Sequence, residues 1–97
     1  MRIIAGNLKG KKIIIPNDSF TRPLKDLTKE SIFNIIKHSN LLNINLENSK
    51  VLDLFAGVGS FGLECVSRGA ASVAFFENYS EVLKILKKNI INLNLEK

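Results

Sequence analysis

Ninety-seven residues, 45% apolar and 24% charged, bound one small globular domain at most and exclude a disordered tail. A single cysteine, Cys65, excludes an intrachain disulfide and offers no metal-ligand set, which suits a reducing cytoplasm. The net charge of +5 sits wholly in residues 1–38, where eight Lys and Arg face three Asp and Glu, while residues 39–97 hold six of each. Clustered positive charge of this kind attracts phosphate, although a lysine-rich solvated surface would carry the same charge. No charged-then-apolar leader occurs, nor an apolar run of about 18 residues, so secretion and membrane spanning are not expected.

In chain order, RIIAG and KKIIIP are β-branched runs separated by NLKG. They predict a hairpin with Gly6 and Gly10 flanking the turn and Pro16 ending the second strand. NDSFTRP is a loop by composition. From Leu24 to about His38 the residues Leu24, Leu27, Ile32, Ile35 and Ile36 recur at helical spacing, with His38 read as a solvated C-terminal residue. Asn40–Lys50 is an Asn-rich linker.

The second half changes character. VLDLF reads as a short buried strand, AGVGS as a tight loop and FGLECVSRG as a helix ended by Gly69. SVAFFE is a second buried strand. Residues 78–95 form a helix with Ser80 as N-cap and a stripe of Leu83, Leu86, Ile90 and Leu93. Phe55, Phe61, Phe75 and Phe76 are assigned to the core, and Cys65 reads as a small buried hydrophobe. Apolar strands alternating with helices imply a parallel sheet with right-handed crossovers.

Gly57-x-Gly59-x-x-Gly62 follows the first strand and opens a helix, where a ligand approaches the strand ends and helix amides face an anion. Asp53, just ahead of the glycines, discriminates between ligands. A carboxylate beside an anionic pyrophosphate costs Coulomb energy, whereas S-adenosylmethionine carries a cationic ammonium and sulfonium. Glu77 ends the second strand twenty residues after Gly57, where an acid accepts hydrogen bonds from both ribose hydroxyls of either ligand.

DLFAGVGSFGLE resembles the first motif of class I S-adenosylmethionine-dependent methyltransferases. Asp53-x-Phe55-x-Gly57-x-Gly59 is similar to the variant in enzymes that methylate exocyclic base amines. MRIIAGNLKGKKIIIP followed by TRPLKDLTKESIFNII resembles the opening of the bacterial 16S ribosomal RNA guanine-N2 methyltransferases, and the likeness runs from Met1 to about Asn94. It implies an α/β fold: an N-terminal β-hairpin, helix and linker over residues 1–48, then the first β-α-β-α half of a Rossmann-like S-adenosylmethionine domain over residues 49–97. Carried over by position, Asp53, Gly57 and Gly59 form the methionine-side loop, lined by Phe55 and Ala56. Glu77 holds the ribose and Asn78 follows near the adenine. Arg2, Lys9, Lys11, Lys12 and Arg22 of the basic segment grip ribosomal RNA. Leu24 departs from the family, which commonly has a helix-capping threonine after Arg-Pro.

The family's Asn/Asp-Pro-Pro-Tyr/Phe motif, which orients the base amine toward the methyl group, is absent, since the two prolines Pro16 and Pro23 are not adjacent. The expected protein is therefore cytoplasmic, binds no metal and acts on 16S ribosomal RNA or the small subunit, as a monomer when full length. This chain is expected to be a truncated portion that binds cofactor weakly and transfers no methyl group alone. A non-catalytic RNA-binding remnant is the alternative, and an NAD-binding fragment is disfavoured by Asp53.

Overall fold

Two short parallel strands carry the site, and three helices and an N-terminal segment complete the fold in a computed structural model that describes residues 1–15, 26–38 and 45–95. The elements are α1 (Asp26–His38), β1 (Lys50–Asp53), α2 (Ser60–Ser67), β2 (Ser72–Phe75) and α3 (Ser80–Asn92). β1 and β2 pair in parallel from Lys50 with Ser72 to Asp53 with Phe75, the α/β crossover expected of the sequence. Pro16, the 17–23 loop with Arg22, Leu24 and residues 40–44 of the Asn-rich linker lie outside the described residues.

Side chains alternate across a strand, so Val51 and Asp53 share a face with Val73 and Phe75. That face meets α2 at Gly62, where an added Cβ would stand 2.2 Å from Cε1 of Phe75. The glycine allows close helix–strand packing. The opposite face is open, and here the expectation of buried strands is corrected. Leu52, Leu54 and Phe76 are each more than half exposed, and Phe55 is 91% exposed. Among the described residues α2 packs on one face of the two strands, and the side chains of the other face are exposed. Phe75 packs against the core and Phe61 is half-buried, but Phe55 and Phe76 are not core residues.

Helix ends follow the sequence more closely. α2 stops at Arg68, Gly69 adopts φ +110°, and the amides of Gly69 and Ala70 bond to the carbonyls of Val66 and Cys65. This is the Schellman pattern, which needs a residue tolerant of positive φ. Asn94, with φ +59°, ends α3 in the same way through Asn94 to Ile91 and Leu95 to Ile90. Ser80 is the first helical residue of α3 and not its cap. Tyr79 is the cap, and its amide bonds to the Glu77 carboxylate.

The core lies between the N-terminal segment and the helices. Ile3, Ile13, Val58, Leu63 and Val82 form one buried cluster that spans the two halves of the chain. The hairpin is held by a single antiparallel bridge, Arg2 with Lys12, flanked by Ile3 N to Lys11 O and Ile13 N to Met1 O. Gly10 N also bonds across to Ile3 O, but the pairing does not extend into regular strands because several other amides are bonded to the helices. Those of Ile4 and Ala5 go to Glu64, those of Asn7 and Leu8 to Ser67, and that of Ile14 to Asn89.

α1 corrects the apolar stripe. Leu27 and Ile35 are exposed, and the buried residues are Lys29 and Phe33, one turn apart. Phe33 stacks on Phe61 at 4.9 Å, and the Arg68 guanidinium lies 4.4 Å over its ring. Lys29 Nζ sits 3.3 Å from Glu64 Oε1 and donates to Ser60 Oγ at 3.1 Å. α1 is thus oriented by a buried ion pair and one aromatic ring.

Candidate cofactor loop and basic segment

β1 delivers Asp53 to its carboxyl end, and the chain then turns through residues 54–59 into α2. The turn is anchored to the matching end of β2. Phe76 N donates to Asp53 O at 2.9 Å, and Ala56 N donates to Phe76 O at 3.0 Å. Gly57 N donates to Glu77 Oε1 at 2.9 Å, while Glu77 Oε2 accepts from Tyr79 N at 3.1 Å. Asp53 and Glu77, chosen from the sequence as partners in one site, therefore flank one turn.

Asp53 is half-buried, and its Oδ2 is out of solvent with no hydrogen-bond partner among the described residues. Burial raises its pKa above the ordinary 3.8, a bond with the Phe55 backbone pulls it down, and the charge of Glu77 raises it again. The net direction is upward. A partnerless buried carboxylate oxygen that also feels the charge of Glu77 is in an environment that a cation would relieve.

The glycines divide by task. Gly57 has φ +57° and nothing within 4 Å of where a Cβ would stand, so its backbone borders open space. At Gly59, φ +95°, a Cβ would stand 2.6 Å from Leu86 Cδ1, so this glycine serves packing. Gly62 likewise serves packing. Ala56 is buried, whereas Phe55 and Asn78 are exposed beside the loop.

Arg2, Lys9, Lys11 and Lys12 are all exposed on the N-terminal segment. The Arg2 guanidinium also donates to Gly10 O at 2.9 Å and braces the turn. The hairpin therefore presents its bases outward while its backbone is bonded to α2 and α3.

Sequence reasoning missed Glu64. Its side chain is fully buried, with Oε1 accepting from Ile4 N and Oε2 from Ala5 N and Arg68 Nε. Burial pushes its pKa up, but the bonds from Ile4, Arg68 and Ala5 and the Lys29 charge outweigh burial and leave it below 4.5. The i, i+4 pair with Arg68 was the available signal. Asn89 was also missed, and no sequence pattern marks it. Cys65 is the buried hydrophobe expected, its thiol pushed up to about 12 by burial and by Asp53 and Glu64, against Arg68. Among the described residues no cluster of metal-ligating side chains occurs, and no helix is long and apolar enough to cross a membrane.

Residues 1–97 match the family model described as conserved hypothetical protein 95. The chain is 41% identical over 93 residues to Ribosomal RNA small subunit methyltransferase D of Haemophilus influenzae, covering 96% of this chain and 45% of that protein. It is 36% identical over 97 residues to the putative rRNA methyltransferase YlbH of Bacillus subtilis, covering 100% and 50%. Among solved structures, the putative methyltransferase yhhF of Escherichia coli superposes with a TM-score of 0.81 at 31% identity, covering 99% of this chain and 48% of that one. The chain thus spans about half the length of the curated relatives it matches.

Proposed function

Because the chain belongs to the conserved hypothetical protein 95 family, we propose that residues 53–78 bind S-adenosylmethionine and serve methyl transfer to guanine N2 of 16S ribosomal RNA. The observation that carries this reading is the partnerless buried Oδ2 of Asp53 beside a glycine turn with open space at Gly57. When bound, the cofactor supplies an electrophilic methyl group on a cationic sulfur. Asp53 neutralises positive charge on the methionine side, and its orphan oxygen gains a donor. Glu77 keeps a lone pair on each oxygen after bonding Gly57 and Tyr79, which leaves it able to accept from ribose hydroxyls. Phe55, Ala56 and Asn78 border the same turn and are assigned to the pocket with Gly57 and Gly59.

Arg2, Lys9, Lys11 and Lys12, with Arg22, would grip the RNA phosphates. No residue here is assigned to orienting the base, since no Asn/Asp-Pro-Pro-Tyr/Phe motif occurs in these 97 residues. The chain alone is accordingly expected to bind cofactor without turnover. The test is equilibrium dialysis with radiolabelled S-adenosylmethionine, on wild type and Asp53→Ala, alongside methyl transfer to protein-depleted small-subunit RNA. Binding lost in the variant supports the reading, and binding that survives rejects the role of Asp53. An RNA-binding module without cofactor is the second reading, favoured by the outward bases. It requires RNA binding with no S-adenosylmethionine binding by wild type.

A further inference from the structure

The N-terminal segment and the glycine turn meet on one side chain, that of Asn89. It lies on α3 with 1% exposure, on a face otherwise made by Val82 and Leu86. Its Oδ1 accepts from Ile14 N at 2.7 Å, and its Nδ2 donates to Ile14 O at 3.0 Å and to Val58 O at 2.9 Å. Both amide hydrogens are thereby used. A buried amide is costlier than leucine in such a position unless its bonds are needed.

The bond to Val58 falls between the two positive-φ glycines of the turn. Val58 stands between Gly57 and Gly59, both at positive φ, where steric resistance to reorienting a peptide plane is low. Ala56 N is held by Phe76 O and Gly57 N by Glu77. The peptide joining Val58 to Gly59 is held from both edges, by Gly59 N to Ala56 O and by Asn89 Nδ2 to the Val58 carbonyl. The peptide joining Gly57 to Val58 has no hydrogen-bond partner among the described residues, on the stretch that borders open space.

We propose that Asn89 is a positioning residue: it fixes the glycine turn for cofactor and ties it to the basic segment at Ile14, so that turn and segment open as one unit. The binding role rests on the reading of residues 53–78 as an S-adenosylmethionine site. Phosphate held by Arg2, Lys9, Lys11 and Lys12 then steadies the turn, and by reciprocity cofactor on the turn steadies the segment.

Native-state amide exchange on the full chain tests this, in wild type and in Asn89→Asp, with S-adenosylhomocysteine as probe. Aspartate keeps the acceptor for Ile14 N but donates to neither carbonyl. In ligand-free wild type, Ile14 and Gly59 amides exchange with matched opening equilibria and matched denaturant dependence. In Asn89→Asp, Gly59 exchanges at least tenfold faster while Arg68 and Phe76 hold their rates, a selectivity that general destabilisation would not give. S-adenosylhomocysteine slows Ile14 and Gly59 together in wild type. Unmatched exchange of the two amides in ligand-free wild type overturns the proposal, with or without a folded variant, and leaves the cofactor reading standing. Matched exchange that S-adenosylhomocysteine does not alter supports the link and overturns the cofactor reading.

Discussion

Gly57 N donates to Glu77 Oε1 at 2.9 Å, so the first glycine of the turn is bonded to the acid two residues beyond the end of β2. The glycine fingerprint and the strand-end acid therefore behave as one unit. Glu77→Ala releases the amides of Gly57 and Tyr79 together. We expect S-adenosylmethionine affinity to fall at least tenfold, with Glu77→Gln intermediate because it keeps one acceptor oxygen. Isothermal titration of the three proteins checks the order, and equal affinity of wild type and Glu77→Ala contradicts it.

Asp53 and Glu64 give stability opposite dependences on pH. The folded-state pKa of Asp53 is raised, so the folded protein holds its proton as pH climbs from 3.8, and stability declines through that window and stays lower above it. Asp53→Asn should therefore raise the melting temperature at pH 7 and lose this advantage near ~pH 3, where Asp53 is protonated in both states. Glu64 is lowered, so its contribution is present above 4.5 and is lost as pH falls through its folded value. Thermal melts from acid to neutral pH separate the two, with Glu64→Gln blunting the acid limb.

The buried ion pair should respond asymmetrically. Removing Glu64 strands Lys29, whose side chain is fully buried, and should cost ~3–5 kcal/mol in Glu64→Leu. Lys29→Met leaves Glu64 with Arg68 and the amides of Ile4 and Ala5, so it should cost less, ~1–3 kcal/mol. Urea denaturation measures both, and a larger loss in Lys29→Met would show that Lys29 is the dominant partner.

Gly62→Ala should destabilise by ~1–3 kcal/mol, as expected for overpacking against the Phe75 ring. Phe75→Leu in the same chain should recover part of the loss. Gly57→Ala meets open space but keeps φ +57°, and should cost only ~1 kcal/mol. Its larger effect should be on cofactor affinity, so the two glycines separate packing from binding when melts and titrations are compared.

RNA affinity should fall steeply with salt. Each of Arg2, Lys9, Lys11 and Lys12 that meets a phosphate contributes ~0.7–0.9 to the slope of log affinity against log salt. Replacing Lys9 and Lys11 by Ala should flatten the slope by ~1.5 if both do so. A slope unchanged by the substitution would remove them from the interface.

The sequence was legible where a local rule decides. Gly69 and the β-α-β-α order follow from turn chemistry and periodicity, and the Asp53–Glu77 neighbourhood follows from that order. It was misleading where a distant partner decides. Apolar spacing pointed to Leu27 and Ile35 in α1, yet Glu64, thirty-five residues beyond Lys29, selects the buried face. Ser80 looked like a cap, but Glu77 already serves the Tyr79 amide. The strands read as buried because their composition suits a sheet covered on both faces, whereas Leu52, Leu54 and Phe76 are uncovered in this chain.

The hydrogen bonds of the first fifteen residues also set a schedule for folding. Ile4 waits for Glu64, sixty residues later, and Ile14 for Asn89, seventy-five residues later. During vectorial synthesis both partners are made well after the residues they hold. Contacts of such long sequence separation form late because loop closure must precede them. The segment thus docks only after the residues that hold it have been made. Until then its amides and its four outward bases stay accessible to any nearby polyanion.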